Sequence, residues 1–132
     1  MQLELANHRD QILADEGVIS PDEIRRLEID GWVDTGAAKL VLPKAVTDAL
    51  GLPKVGKTGV KFADGRRAKR DVVGDVWLRM HGRAGVFTAI VEPKREDALI
   101  GAIVLEELDM LPDPTGGTCH PRDPNMVLSE IE

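Results

Sequence analysis

The sequence predicts a mostly β domain, barrel-like or sandwich-like, with two or three short helices. Many short apolar segments are separated by turns rich in glycine and proline, which is typical of small β folds. Helical spacing is confined to segments of one or two turns. Aromatic residues make up only 3% of the chain, so the core must be built from Val, Leu, Ile, Ala and Met. A length of 132 residues fits one such domain.

The first third of the chain predicts strands around one short helix. Leu3 and Leu5 alternate with polar residues, as in a half-buried strand. Residues 7–17 are polar and irregular, with at most a helical turn at 10–13. Ser20 then supplies a helix cap, and Glu23 can complete a capping box around Pro21. This helix must be short, because residues 27–33 are predicted as extended chain.

The central and C-terminal segments predict further strands and two helices. A strand at 40–42 leads into an amphipathic helix over 43–50, which begins at Pro43 and ends before Gly51. An Asp64-Gly65 turn joins the arms of a hairpin over 60–73. The remaining expectations are strands at 75–80 and 85–92, an apolar run at 99–102 and a helix at 103–108. Residues 110–111 and the segment after 113–117 suggest a closing hairpin, and the tail at 121–132 either pairs as a terminal strand or stays loose.

Bulk charge and cysteine content narrow the function classes. A net charge of −6 and a pI near 5.1 argue against nucleic-acid and anionic-membrane partners. One cysteine, Cys119, excludes an internal disulfide framework and fits a reducing compartment. The start of the chain shows no signal peptide, and the longest apolar run, 98–105, is too short to span a bilayer. We therefore expect a soluble, cytoplasmic protein.

The stretch with the clearest chemical content surrounds Asp34. The apolar pair Trp32-Val33 leads directly into Asp34, Thr35 and Gly36, and a second apolar run follows. A carboxylate between two buried-looking segments is costly unless something pairs with it or uses it. Two carboxylates that share one proton can act as base and acid on a water molecule. Asp34 alone supplies half of such a pair.

Several other residues have simpler interpretations. The three histidines lack metal-ligand spacing with Cys119 or with one another, so surface histidines are expected and no metal site. Cys119 is expected to be a partly buried or idle thiol, and Trp32 and Trp77 to serve packing. The basic cluster at 66–70 is expected to be a solvated hairpin face. Its alternative is a patch that steers acidic peptides or a partner.

The Asp-Thr-Gly-Ala sequence at 34–37, preceded by an apolar pair, resembles the active-site loop of retropepsin-like aspartic proteases. Leu42-Pro43, a helix and Leu50-Gly51-Leu52 resemble the stretch that follows that loop. Residues 62–66 resemble the flap hairpin of bacterial and archaeal relatives. Residues 98–101, then 105–110 and Asp113-Pro114, resemble the second loop, its helix and the next strand. The resemblance covers roughly residues 27–121.

The resemblance implies a single retropepsin-like half-domain over 1–132, a closed acid-protease β-barrel that is active only as a homodimer on peptide substrates. It implies no cofactor and no metal. Asp34 would be the catalytic residue of each subunit, Thr35 would lock the two loops together, and Gly36 would present its backbone to the substrate. The substrate-binding residues implied are Ala37, Ala38, Ala63, Asp64, Gly65, Arg66, Ile100 and Gly101.

Four features depart from the family pattern. Ala37 replaces the serine of pepsin-like enzymes, which predicts a working pH nearer neutral. Ala38 lacks the usual polar side chain. The hairpin tip is charged rather than glycine-rich, and residues 7–26 form an insertion relative to the minimal retroviral domain.

Two alternatives to a constitutive peptidase stay open. The chain could be a catalytically inactive module that uses this fold to bind an extended peptide or to dimerise. It could also be a peptidase whose activity requires a partner or trimming of residues 121–132. A glycosidase with two carboxylates has no specific support in the sequence.

Overall fold

A computed structural model, which describes residues 1–113 and 115–131, confirms the predicted fold class. It shows a closed β-barrel of six strands and three short α-helices. The strands are β1 Gln2–Asn7, β2 Arg26–Val33, β3 Leu40–Pro43, β4 Lys54–Lys61, β5 Arg67–Met80, β6 Arg83–Glu92, β7 Ala98–Ile100, β8 Met110–Pro112 and β9 Cys119–Pro121. The helices are α1 His8–Asp15, α2 Lys44–Ala49 and α3 Ala102–Leu108, and a single 3-10 turn spans Pro21–Glu23.

The barrel closes because β1 is paired on both edges. Leu5 lies opposite Leu27 of β2 and opposite Leu78 of β5, both in antiparallel register. The strand order around the barrel is β1-β2-β7-β3-β6-β5, and β4 pairs with β5 outside it. Two neighbouring pairs, β2 with β7 and β3 with β6, run parallel. The β4–β5 hairpin extends beyond the barrel, and β8 pairs with β9 in a separate two-stranded sheet.

The core consists almost entirely of aliphatic side chains, as the composition predicts. Leu5, Leu42, Leu78 and Ile100 have no exposed surface, and Phe87 is the one aromatic side chain among the buried residues described. Each fully buried side chain of this size stabilises the fold by about 1.5–3 kcal/mol. Along β1, β3, β5 and β6 the buried apolar residues mostly recur at every second position, as expected of strands with one face in the core.

The segment between β1 and β2 is more ordered than the sequence predicts. An eight-residue helix, α1, replaces the expected single turn at 10–13. Asn7 caps it by accepting a hydrogen bond from the Asp10 backbone N–H at 3.1 Å. The predicted capping box at Ser20 is present, with Glu23 accepting from the Ser20 N–H at 3.0 Å. The apolar residues of α1 are adjacent in sequence rather than spaced along one face, so periodicity could not reveal it.

The hairpin after α2 is longer than predicted. Residues 68–73 and 75–80, expected as separate strands, form the single strand β5 with a bulge between Val73 and Val76. Asp75 adopts a left-handed conformation there, with φ of 57°. The turn expected at Asp64-Gly65 is confirmed, and β4 extends back to Lys54. A bulge bends the strand without ending it, which explains why a local pattern resembles two strands.

The C-terminal part contains the closing hairpin that the sequence predicts, β8 with β9. Residues 122–131 form no strand, so the alternative of a paired terminal strand is not realised within one chain. Pro114 of the expected turn and Glu132 of the tail lie outside the described residues. No helix in the described part of the chain has the length and apolar character needed to cross a membrane.

Candidate active site

Asp34 is the first residue after β2 and is solvent-exposed in the single chain, contrary to the burial expected from its apolar neighbours. The apolar strands end one residue before it, so the carboxylate emerges where the barrel meets solvent. Its Oδ1 accepts a hydrogen bond from the Gly36 N–H at 2.9 Å. Its backbone N–H donates to the Ile100 carbonyl at 3.0 Å, and its carbonyl accepts from Ala37 at 3.1 Å. These bonds fix the loop and leave the carboxylate accessible.

The second apolar-Gly segment, at 98–101, lies directly beside the Asp34 loop. Strand β7 pairs in parallel with β2, which places Ile100 opposite Val33. The first two N–H groups of α3, on Ala102 and Ile103, donate to the carbonyls of Ala37 and Ala38, both at 2.9 Å. Helix α3 therefore uses its unpaired first-turn donors to hold the loop.

Gly101 permits this close packing. A Cβ atom at this position would lie 2.4 Å from the Lys39 carbonyl oxygen and 2.7 Å from the Ala38 carbonyl carbon. Backbone atoms cannot move aside as a flexible side chain can. Residue 101 must therefore lack a side chain for the two loops to meet.

A cleft of about 790 Å³ opens beside Asp34, between the barrel and the β4–β5 hairpin. The residues that line it are Asp34, Gly36, Ala37, Ala38, Lys39, Val41, Thr58, Gly59, Val60, Lys61, Phe62, Ala63, Ile90, Glu92, Arg95 and Leu99. Val41, Ile90 and Leu99 come from the barrel, and Thr58 to Ala63 come from the hairpin. The arrangement suits an extended segment that passes between an apolar wall and a strand edge.

The structure brings part of the predicted site together. Asp34, Gly36, Ala37, Ala38 and Ala63 line the cleft. The other three hairpin residues, Asp64, Gly65 and Arg66, form the exposed turn beyond it.

Two of the residues predicted to contact substrate are buried in the single chain. Ile100 is 0% exposed, and Gly101 is buried beneath residues 38 and 39. In the single chain both residues lie beneath the Asp34 loop and support it through backbone contacts, and their role as substrate contacts stays a prediction.

Thr35 lies away from the cleft. It is exposed and lines a smaller neighbouring pocket with Pro112, Asp113 and residues 116–118. It also borders a groove that includes Leu128 and Glu130 of the tail. Asp34 also lines this smaller pocket, so it borders both the cleft and the surface beside Thr35. Both surfaces are open in the single chain.

Several cleft residues are missed by sequence reasoning, chiefly Lys39, Val41, Ile90, Arg95 and Leu99. Val41 and Leu99 are cross-strand neighbours of β3 and β7. Each belongs to a predicted apolar segment, yet the sequence does not show that one side chain of each run faces a cleft. Thr58 and Val60 carry a weak signal, since they alternate along β4, and Phe62 continues this spacing one residue past the end of the strand.

The hairpin is anchored to the barrel by charge. Arg70 of β5 donates to Glu92 of β6 at 2.9 Å, and both side chains are about one-fifth exposed. The guanidinium groups of Arg66 and Arg70 lie 5.0 and 5.5 Å from the centre of the Phe62 ring. Arg66, Arg67 and Lys69 are exposed, as expected of a solvated face, but Arg70 has a structural role.

The remaining reactive side chains stand apart from the cleft. Cys119 is buried, and burial raises the pKa of its thiol to about 11, so the thiolate is scarce near neutral pH. The Asp113 carboxylate lies 2.6 Å from His120 Nδ1 and also accepts from Thr118. No cluster of three His, Cys, Asp or Glu residues suited to a metal occurs among the described residues.

Comparison with known proteins identifies the fold. No protein-family model and no curated protein matches the chain. Among solved structures it is similar to the EIAV protease in complex with an inhibitor, with a TM-score of 0.51 and 24% identity over 63% of this chain and 77% of that one. It is also similar to the simian foamy virus (mac) protease, with a TM-score of 0.47 and 17% identity over 59% of this chain and 80% of that one. The closed barrel of six strands, together with the similarity to the EIAV protease, shows that the chain has the retropepsin-like fold.

Proposed function

We propose that this protein is a homodimeric aspartic endopeptidase in which two copies of Asp34 activate one water molecule. The observation that carries the proposal is the position of Asp34, whose accessible carboxylate lies in an Asp-Thr-Gly loop at an apolar cleft below a hairpin. One ionised carboxylate would take a proton from water as it attacks the peptide carbonyl. The protonated partner would donate to the carbonyl oxygen, and a proton would then pass to the leaving amine.

A second copy is needed because one chain offers one suitable carboxylate. Glu92 is the other acidic residue that lines the cleft, and Arg70 already pairs with it. Two Asp34 side chains brought together by a two-fold axis could not both ionise, so one would keep its proton. The exposure of Asp34 and Thr35 in the single chain fits a surface that a second copy covers.

The other residues receive supporting roles. Thr35 would bond across the two-fold axis, and Gly36, Ala37 and Ala38 would present backbone to the substrate. The hairpin, with Ala63 in the cleft and residues 64–66 at its tip, would close over the peptide. Ile100 and Gly101 would position the loop. The domain would function without cofactor or metal, in the cytoplasm, and residues 121–132 would form a tail or a dimer strand.

Replacing Asp34 with Asn tests the proposal. The amide cannot accept a proton, so we expect peptide cleavage to fall by a factor on the order of 10³ or more. The fold and the dimer should be retained, because the Asn side-chain oxygen can still accept from Gly36. Cleavage of a peptide library would be followed by mass spectrometry from acid to neutral pH. Asp48→Asn, an exposed change on α2, is the matched control.

A wild-type chain that stays monomeric at micromolar concentration and cleaves no peptide at any pH would overturn the proposal. Peptide binding without cleavage would instead identify a non-catalytic module. In the active dimer, a transition-state mimic of the statine type should inhibit cleavage.

A further inference from the structure

The cleft carries positive charge although the whole chain is acidic. The net charge is −6, yet Lys39, Lys61 and Arg95 all line the cleft. Two acidic residues line the cleft, and one of them, Glu92, forms an ion pair with Arg70. Asp34 is the other. No described carboxylate lies within 4.0 Å of the charged groups of the three cations. The positive charges of these three side chains are therefore available to pair with a ligand that enters the cleft.

The Arg95 side chain is held in position by a backbone hydrogen bond. It lies in the loop between β6 and β7, and its Nε donates to the Asp97 carbonyl at 2.7 Å. The Asp97 carboxylate accepts instead from Trp32 Nε1 at 3.3 Å. One edge of the guanidinium is thus fixed by backbone, and its terminal nitrogens keep donors that can meet a carboxylate in the fork geometry.

Apolar surface adjoins these cations. Val41, Ile90 and Leu99 form the barrel wall of the cleft, and Val60 and Phe62 face it from the hairpin. A ligand that satisfies both surfaces carries an apolar side chain and, near it, an anionic one. Steering by the cleft would also favour acidic segments over basic ones.

We infer that the cleft selects peptide segments in which an acidic side chain lies beside an apolar one, with Arg95 and Lys39 as specificity-determining residues. This inference rests on the proposed peptidase function and names its substrate class. Arg95 pairs with the acidic side chain, and Lys39, next to the catalytic loop, adds charge of the same sign. Neither residue takes part in the proton transfers.

The test uses two short peptide pools of identical apolar residues that differ only in Glu or Gln at the variable polar positions. Cleavage by the wild-type protein is measured as kcat/KM. Binding is measured by fluorescence anisotropy on the Asp34→Asn variant, so that it does not depend on turnover. We expect the Glu pool to be favoured about three- to tenfold in both assays, and less so at high salt.

Substitutions then locate the preference. Arg95→Gln should remove most of the preference by lowering kcat/KM for the Glu pool much more than kcat/KM for the Gln pool. Arg95→Lys should retain part of it. Lys94→Gln removes the same charge from an exposed neighbour outside the cleft, and it should leave the preference intact.

The outcomes separate the inference from the proposed function. Equal cleavage of both pools, or a preference that Arg95→Gln does not change, would overturn the inference and leave the peptidase proposal standing. Selective binding of the Glu pool without cleavage would support the assigned selectivity and overturn the peptidase proposal. Equal binding without cleavage would overturn both.

Discussion

At the scale of single residues, Gly101 shows how the site depends on backbone contact. The next two residues, in α3, donate backbone hydrogen bonds to the loop that follows Asp34. At Gly101 the backbone lies too close to the backbone of that loop for a Cβ atom to fit. The loop that carries Asp34 is therefore held against α3 by main-chain groups. The contacts with α3 use the carbonyls of Ala37 and Ala38, so they do not depend on polar side chains at these two positions.

Gly101→Ala should destabilise the domain and displace the loop that carries Asp34. The added methyl group would overlap Lys39 and Ala38 backbone, and we expect a loss of about 2–3 kcal/mol in the free energy of unfolding, together with reduced cleavage. Urea unfolding followed by circular dichroism measures the first effect. Gly56→Ala, on β4 in open space, is the control and should change stability by less than about 0.5 kcal/mol. A stable and fully active Gly101→Ala protein would contradict the argument.

The segments that meet at the cleft could be located from the sequence, but the environment of their residues could not. Asp34 is recognisable because Asp, Thr and Gly follow an apolar pair. The exposure of its side chain in the single chain could not be recognised in the same way, because burial depends on where β2 ends relative to the barrel. Ile100 is a second example. Its apolar character predicted that it belongs to an apolar run, but only the packing of the folded chain showed that its side chain faces the core.

At the scale of elements, the segment between β1 and β2 is held by one partly buried polar cluster. Asp10 accepts two hydrogen bonds from the Arg25 guanidinium, at 2.9 and 3.0 Å, and one from the Arg25 N–H at 3.0 Å. Asn7 donates to the Leu50 carbonyl at 2.9 Å and so ties this segment to α2. A polar sequence without periodicity thereby becomes an ordered part of the domain.

Asp10→Asn should destabilise the domain near neutral pH by about 1–2 kcal/mol, because the amide cannot accept both guanidinium bonds as an anion does. The Arg25 side-chain hydrogen bond holds the pKa of Asp10 below its ordinary value of 3.8. A lowered pKa stabilises the fold above the ordinary value, and this contribution is lost as pH falls through the folded-state pKa. The difference between wild type and variant should therefore shrink below about pH 4.

Thermal unfolding at several pH values measures this difference. Asp22→Asn, at an exposed position on the same segment, is the control and should show little change at any pH. A destabilisation by Asp10→Asn that stays constant down to strongly acid pH would show that the charge of Asp10 is not the cause.

At the scale of the whole molecule, the single chain leaves apolar tail residues uncovered. Met126, Val127, Leu128 and Ile131 are 58, 44, 43 and 91% exposed. The tail is nevertheless attached, because the Asp109 carboxylate accepts from the Leu128 N–H at 3.0 Å and from Arg122 Nε at 2.7 Å. These hydrogen bonds hold the pKa of Asp109 below its usual range. An anchored tail with exposed apolar side chains, bordering the groove beside Thr35, fits a dimer contact.

Removal of residues 126–132 should weaken the dimer without unfolding the monomer. None of residues 126–131 belongs to the described core, and loss of their apolar surface should raise the dissociation constant at least about tenfold. Sedimentation velocity over a range of concentrations measures this constant. Glu130→Gln, which keeps the apolar residues, is the control. An unchanged dimer would contradict the assignment, and a gain of cleavage on truncation would show that the tail restrains activity.

The sequence by itself determined the fold class, the aliphatic core, the capping box at Ser20 and the two loop segments that carry Asp34 and Gly101. These depend on local spacing and on a few residue types, which a chain shows without its tertiary contacts. Tertiary structure decided that the two loops meet through backbone, that Ile100 is buried and Asp34 exposed, and that Arg95, Val41 and Leu99 share one cleft. Those facts depend on strand order and parallel pairing between distant segments, which no local pattern records.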